Sequence, residues 1–312
     1  MTSPAALPVL LSDMAVVHID GDDAESFLHG QLTNDVQTLE AGHARLAAYC
    51  TPKGRVLATL MLWKRAGTGH YAALVKADLA QALVKRLTMF VLRAKAKLGL
   101  LDTPVCGFAY PTGQQPDFLP ANAARGTVVE HETGTYVAAP HTDQQQRWWH
   151  IPAEQPGPET NTGADALQSW QAADIDQGLP WITTATQDLF IPQTLNLDLI
   201  EGVSFTKGCY PGQEVVARSH YRGTVKRRMA CAIAADEAAV TITELPGQDI
   251  FNALAPDAPC GRVINAARAG DQIHCLLEVQ LSDLGQADFR LGEASGPVLT
   301  VTAPPYSLEA SR

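Results

Sequence analysis

The apolar positions of the chain come in short blocks whose period changes along its length. Residues 15–20, 44–50, 55–63 and 70–76 alternate closely enough to predict strands. Thr51-Pro52-Lys53-Gly54 joins the second and third of these as a hairpin-like turn. Gly21 breaks the first block, and Asp22 or Asp23 is placed to cap a helix through Leu32 that buries Phe27, Leu28 and Leu32. A second helix is predicted from Asp78, its cap, with Leu79, Leu83, Leu87, Phe90 and Val91 on one face. Between Pro111 and Gly163, loop-like stretches alternate with strands near 127–129, 136–139 and 147–151. A third helix starts near Ala164, carries Leu167, Trp170 and Ala173 at helical spacing, and ends before Gly178.

After residue 223 the texture changes. Short β-like runs at 229–234, 240–243, 261–267, 273–281 and 297–302 are separated by Gly, Pro and Asp. This predicts an α+β region over 1–222 followed by a small closed antiparallel β-barrel over 223–312. A length of 312 residues fits two or three such units. A hydrophobic share of 46% excludes wholesale disorder, and no apolar run approaches a membrane span. No Lys or Arg precedes Arg45, which excludes the basic start of a signal peptide and predicts a cytoplasmic protein with no membrane partner.

The formal charge of −10 argues against direct, stable nucleic-acid binding through the whole surface. Six cysteines form no CxxC pair and have no histidine at ligand spacing, which points away from a structural metal site. Phosphate-loop, dinucleotide, zinc-protease and nucleophile-elbow patterns are absent.

The chemistry concentrates in residues 205–228. Gly208 and Gly212 flank Cys209, Tyr210 and Pro211, which permits a tight turn. Pro211 suits a first helical position and Glu214 a first turn. Cys209 would then sit at a helix N-terminus beside Lys207, and both favour a thiolate. The alternative is a small buried hydrophobe in a turn. Residues 205–228 carry Lys207, Arg218, Arg222, Lys226, Arg227 and Arg228 against Glu214, a net +5, leaving −15 for the rest. Such an island either holds a compact anion or pairs with acids from elsewhere. Trp170 is either a core residue or a stacking surface for a flat heterocycle.

Lys207-Gly208-Cys209-Tyr210-Pro211-Gly212-Gln213-Glu214 resembles the signature of the YgfZ family of folate-binding proteins, relatives of the glycine-cleavage T-protein. The resemblance extends to Phe190-Ile191-Pro192-Gln193, Asn196-Leu197, Val216-Ala217-Arg218, Gly30-Gln31, Lys53-Gly54 and Pro305-Tyr306-Ser307-Leu308-Glu309. It implies a T-protein-like ring of two interleaved α+β lobes and the barrel around a central site for tetrahydrofolate or a derivative. It implies a role in assembly or repair of iron–sulfur clusters, including those of tRNA-modifying enzymes, with client proteins or assembly factors as partners. Cys209 maps to the essential cysteine, with Lys207 beside it, and could serve as a transient cluster ligand. One cysteine cannot hold a cluster alone. Trp170 and Met14 fall on the positions linked to folate, and Tyr210, Gln213, Glu214, Arg218 and Arg222 are expected around the ligand. Ala58 and Thr59 replace two acids of the aminomethyltransferases, so glycine-cleavage activity is not expected. Two other readings are a folate-dependent one-carbon transferase and an interaction module that lost its ligand.

Overall fold

The first sheet grows from the alternation noted above. The computed structural model describes residues 7–154, 157–221, 225–236 and 240–308. In chain order it begins with strands β1 (Val9–Leu10) and β2 (Met14–Asp20), helix α1 (Ala24–His29), strands β3 (Ala44–Cys50), β4 (Val56–Lys64) and β5 (His70–Lys76), helix α2 (Ala77–Val91) and strand β6 (Lys97–Leu100). One antiparallel sheet has the order β3-β4-β5-β2-β6. Ala58 to Trp63 of β4 are buried without a break, so this strand lost its alternation by being covered on both faces.

Next come β7 (Cys106–Pro111), β8 (Val128–His131), β9 (Gly134–Ala138) and β10 (Gln145–Pro152), followed by α3 (Ala164–Asp176) and α4 (Gln213–Tyr221). A second sheet has the order β1-β7-β10-β9-β8. Strand β1 belongs to this sheet although the neighbouring β2 belongs to the first, so the chain interleaves the two. The rest is β11 (Arg227–Ala235), β12 (Asp249–Asn252), β13 (Ala255–Ala269), β14 (Gln272–Gln280), β15 (Phe289–Leu291) and β16 (Thr300–Thr302). These form a six-stranded sheet in the order β15-β12-β13-β14-β11-β16.

Where a closed barrel was expected, the C-terminal part is a six-stranded sheet whose end strands β15 and β16 share no ladder with each other. The chain just before β16 turns back on β15, with the bridge Arg290↔Val298 flanked by hydrogen bonds from Leu291 N to Pro297 O at 3.0 Å and from Leu299 N to Phe289 O at 2.9 Å. Gly292, at φ +76°, and Gly296 lie in the turn between the two segments. The run at 240–243 is not a strand. A 3₁₀ turn spans Ile242–Glu244, and Pro246 and Gly247 (φ +89°) follow it. The expected boundary after residue 222 falls at positions outside the described residues.

Two helix caps also differ. Asp23 stands at the N-cap of α1, but its carboxylate accepts from the backbone N–H of Lys95 at 2.7 Å and caps nothing. Helix α2 is preceded by Lys76, and Asp78 lies inside the first turn, accepting from the N–H of Thr184 at 2.8 Å. Helix α1 stops at His29, short of Leu32, and Phe90 of α2 is exposed rather than buried.

One hydrophobic core runs through the first two sheets and takes in Met229, Cys231, Ile264, Ala267 and Leu276 of the third. Helix α3 packs against β13 and β14 and so joins the third sheet to the rest. Asn196, in a left-handed conformation, makes a second seam. Its amide donates to Met229 O at 2.8 Å, its carbonyl accepts from Met229 N at 3.1 Å, and Tyr306 Oη donates to Gly178 O at 3.0 Å nearby.

Candidate functional site

Two candidate sites emerge, and they lie on different parts of the molecule. The first is the loop that carries Cys209. Cys209 is exposed, whereas the other five cysteines are buried. The loop rests on the β3–β4 hairpin turn. A side chain on Gly212 would come within 2.5 Å of Thr51 O and 2.6 Å of Gly54 Cα, so only glycine permits this contact. Gly212 has φ +84°, and helix α4 starts after it, at Gln213. Pro211 is therefore not a first helical residue, and Cys209 is not at the helix N-terminus. The influence of a helix end fades within a turn, so the thiolate support expected from α4 does not apply.

Lys207 is buried, and its ammonium donates to the carbonyls of His29 and of Leu32, the latter at 2.6 Å. His29 is the last residue of α1, so Lys207 acts as a cationic cap on that helix end. It also stands 5.0 Å from the centre of the Tyr210 ring. Burial lowers the Lys207 ammonium from 10.5 to about 8, against the opposing pull of Asp35 and Cys209. Tyr210 is buried, and burial with Cys50 nearby raises its phenol well above the usual range. Gln213 N donates to Tyr210 O at 3.2 Å, Glu214 and Arg218 are exposed, and Arg222 lies outside the described residues. Gln193 donates to Val216 O at 2.7 Å and moors α4 from beneath. At the far end of α4, His220 stacks on Phe205 with 3.7 Å between ring centres.

Two of the six cations of the positive island are paired with acids among the described residues. Arg228 meets Asp198 through two bonds of 2.5 and 3.0 Å in a buried pair, and Arg227 meets Glu278 at 3.2 Å. Of the two readings of the charge cluster, these arginines follow the one in which acids from elsewhere neutralise them.

The second site is a cavity of about 670 Å³ where the first sheet, α3 and the third sheet meet. Asp13, Lys76, Gln171, Asp174 and Trp181 line it, with Ile175, Leu179, Ile242 and Ala266 as apolar wall. Lys76 and Gln171 both donate to Asp13 Oδ2, Gln171 at 2.7 Å. The other oxygen, Asp13 Oδ1, is buried without a hydrogen-bond partner. Trp181 Nε1 donates to Asp174 Oδ2 at 3.0 Å, and Asp174 pairs with buried Arg147 at 2.9 Å.

Trp170 and Met14 are one residue away from this lining and belong to the hydrophobic core, at 6% and 8% exposure. The Trp170 ring packs on β7 and β10. Arg147 stands 4.0 Å from its centre, and a side chain on Gly107 would fall 2.6 Å from it. A ring so covered offers no face for stacking. Their chain neighbours Asp13 and Gln171 are what the structure brings together in the cavity, and Trp181 is its indole. The sequence signal for this was the stripe Gln168, Gln171 and Asp174 at helical spacing on α3, polar where the helix is buried. Thr59, one of the two replaced acids, donates to Pro180 O and accepts from Ile182 N, holding the segment that presents Trp181. Cys209 lines neither this cavity nor the smaller polar one of about 520 Å³ beside Arg45 and Arg125.

No family model matches the chain. It is 30% identical to the tRNA-modifying protein YgfZ of Klebsiella pneumoniae, over 99% of this chain and 96% of that protein. It is 29% identical to the protein of that name from Edwardsiella ictaluri, over 96% of this chain and 92% of the relative. Among solved structures, the glycine cleavage system aminomethyltransferase T of Bartonella henselae superposes with a TM-score of 0.66 over 99% of this chain and 88% of that one, at 14% identity, a likeness of fold.

Proposed function

Because the chain belongs to the YgfZ family, we propose that it is a tetrahydrofolate-binding accessory factor for iron–sulfur proteins, including enzymes that modify tRNA, and that Cys209 is its reactive group. The observation that carries this reading is the exposed thiol on a glycine-held loop, set apart from five buried cysteines. Bound folate would supply a one-carbon unit or a reduced pterin.

The cavity residues suit the ring of such a ligand. Asp13 Oδ1 is an acceptor in need of an N–H donor, and an amino-pterin presents several. Ile175, Leu179 and Ile242 supply an apolar wall for a flat ring, and Trp181 adds an indole. Lys76 pairs with Asp13 and orients it. The acid tail is a different matter, since Arg227 and Arg228 are spent on Glu278 and Asp198. Arg218, exposed on α4, stays available to the tail.

Cys209 acts through its sulfur. The loop keeps it in solvent, where it can attack a disulfide, donate one bond to an iron, or be handed a cluster held jointly with a client protein. No group of three His, Cys, Asp or Glu side chains is arranged to hold a metal ion among the described residues, so the remaining ligands of a cluster would come from the partner.

The test separates the two sites. Tetrahydrofolate binding is measured by calorimetry, and rescue of an iron–sulfur enzyme is measured in a strain lacking the protein. Cys209→Ser is expected to bind folate like the parent and fail to rescue. Asp13→Asn and Trp181→Phe are expected to weaken folate binding at least about tenfold, the effect of roughly one lost charged hydrogen bond. Full rescue by Cys209→Ser would remove the proposed role of the thiol. Folate binding that ignores Asp13 and Trp181 would remove the cavity.

A further inference from the structure

Helix α2 ends in a surface that nothing in the folate reading uses. Residues 85–97 hold Lys85, Arg86, Arg93, Lys95 and Lys97 and no acidic residue, a net +5 in a chain of −10. All five are exposed. Lys95 meets Asp22 at 3.3 Å, and no ion pair forms to the other four among the described residues. In their midst stand three large apolar side chains in water: Met89 at 61%, Phe90 at 48% and Leu92 at 88% exposure.

Leu92 is the most informative of these. It closes α2 with φ +47° and ψ −103°, a positive-φ backbone outside the usual left-handed cap and one that side-chain-bearing residues rarely adopt. A leucine there is strained and leaves a large apolar group unburied, so the fold alone gives it no advantage. Met89, one turn earlier on α2, lines a slot of about 240 Å³ together with Leu57 and Leu83, with Lys85 and Arg86 also on its wall. The slot is the size of one apolar side chain.

The slot also touches the cysteine loop through the fold. Leu57 and Tyr49 line it, and they belong to the two strands of the hairpin whose turn, Thr51 to Arg55, supports Gly212.

We propose that this face is a docking site for a protein segment in which an apolar side chain is flanked by several Asp or Glu residues. Aliphatic anchors with a cationic rim are the complement of such a segment. A nucleic acid would use the cations and the Phe90 ring but have no use for Met89 and Leu92, the more exposed side chains of the face, which present no ring to a base. The inference does not depend on folate or on iron–sulfur chemistry and could survive the failure of both.

The probe is a pool of fluorescent twelve-residue peptides, each with one Leu or Phe among Asp and Glu, titrated with the full chain at low salt and read by anisotropy. The comparison pool replaces Asp and Glu by Asn and Gln. The acidic pool should bind, and the neutral pool should bind at least about tenfold more weakly. Arg86→Glu with Arg93→Glu, and separately Met89→Ser with Leu92→Ser, should each weaken the acidic pool by about tenfold or more. All four positions are exposed, so unchanged melting curves are expected for both variants. Equal binding of the two pools, absence of binding, or unaltered binding by either variant would overturn the proposal. So would a mixed-sequence single-stranded RNA that binds the parent and is lost in the Arg86/Arg93 variant alone. Concentration-dependent self-association abolished by Leu92→Ser would likewise assign the face to a second copy of this chain and overturn it.

Discussion

At Cys209 the sulfur stands in solvent, while burial raises Cys106 to about 11 and Cys50, Cys231 and Cys275 to about 12. A buried thiol reacts slowly because both access and thiolate are missing. The native protein should therefore show one fast equivalent toward a disulfide reagent at neutral pH, and six after denaturation. Cys209→Ser should show none of the fast phase. Lys207 beside it makes a second prediction. Its ammonium sits at about 8 in the folded chain against 10.5 for the free group. Between those values the unfolded chain binds more proton than the native one, so the contribution of Lys207 to stability increases as pH rises through that window. The buried cysteines pull the other way over this range, because the unfolded chain gives up thiol protons that the native one keeps, so the effect is read as a difference: the urea midpoint of the parent minus that of Lys207→Met should grow between about pH 7.5 and about pH 9.5.

Among elements, the glycine contacts are the most sensitive joints. Gly212 combines positive φ with an approach to the hairpin that leaves no room for a side chain. Gly212→Ala is expected to lift the loop from Thr51–Gly54 and cost about 1–3 kcal/mol. Thermal melting would read the loss, and a change in the fast thiol rate would show that the loop itself moved. Gly107 makes the same point in the second sheet. Gly107→Ala drives a methyl into the Trp170 indole and should cost about 1–3 kcal/mol by overpacking, without touching Cys209 reactivity. If both variants changed the thiol equally, the two joints would not be independent.

Across the whole molecule, α3 is the wedge. It packs on the third sheet, its Trp170 on the second, and its Gln171 on Asp13 next to the first. Asp174 ties this wedge to Arg147 of β10 and to Trp181. Arg147→Met strands a buried carboxylate and is expected to cost about 3–5 kcal/mol in denaturant midpoint. The same variant should disturb the cavity, because Trp181 takes its orientation from the same Asp174.

The four-residue turn at Thr51–Gly54, strands β2 to β5, helix α3 and the octapeptide with its cysteine are legible in the sequence because local period, turn residues and a rare motif specify them. The polar stripe on α3 was equally local, yet its meaning was not, since only packing shows whether Gln171 or Trp170 faces a cavity. The helix start at Gln213 was decided by the fit of Gly212 on the hairpin, and the fate of Arg227 and Arg228 by acids dozens of residues away. The way the C-terminal sheet ends depended on residues 297–299 folding back on β15, and Leu92 became a surface feature only when α2 ended on a positive-φ residue. Local sequence sets which conformations a segment prefers. The direction in which each side chain points, and the charge it meets there, is settled by contacts between segments far apart in the chain.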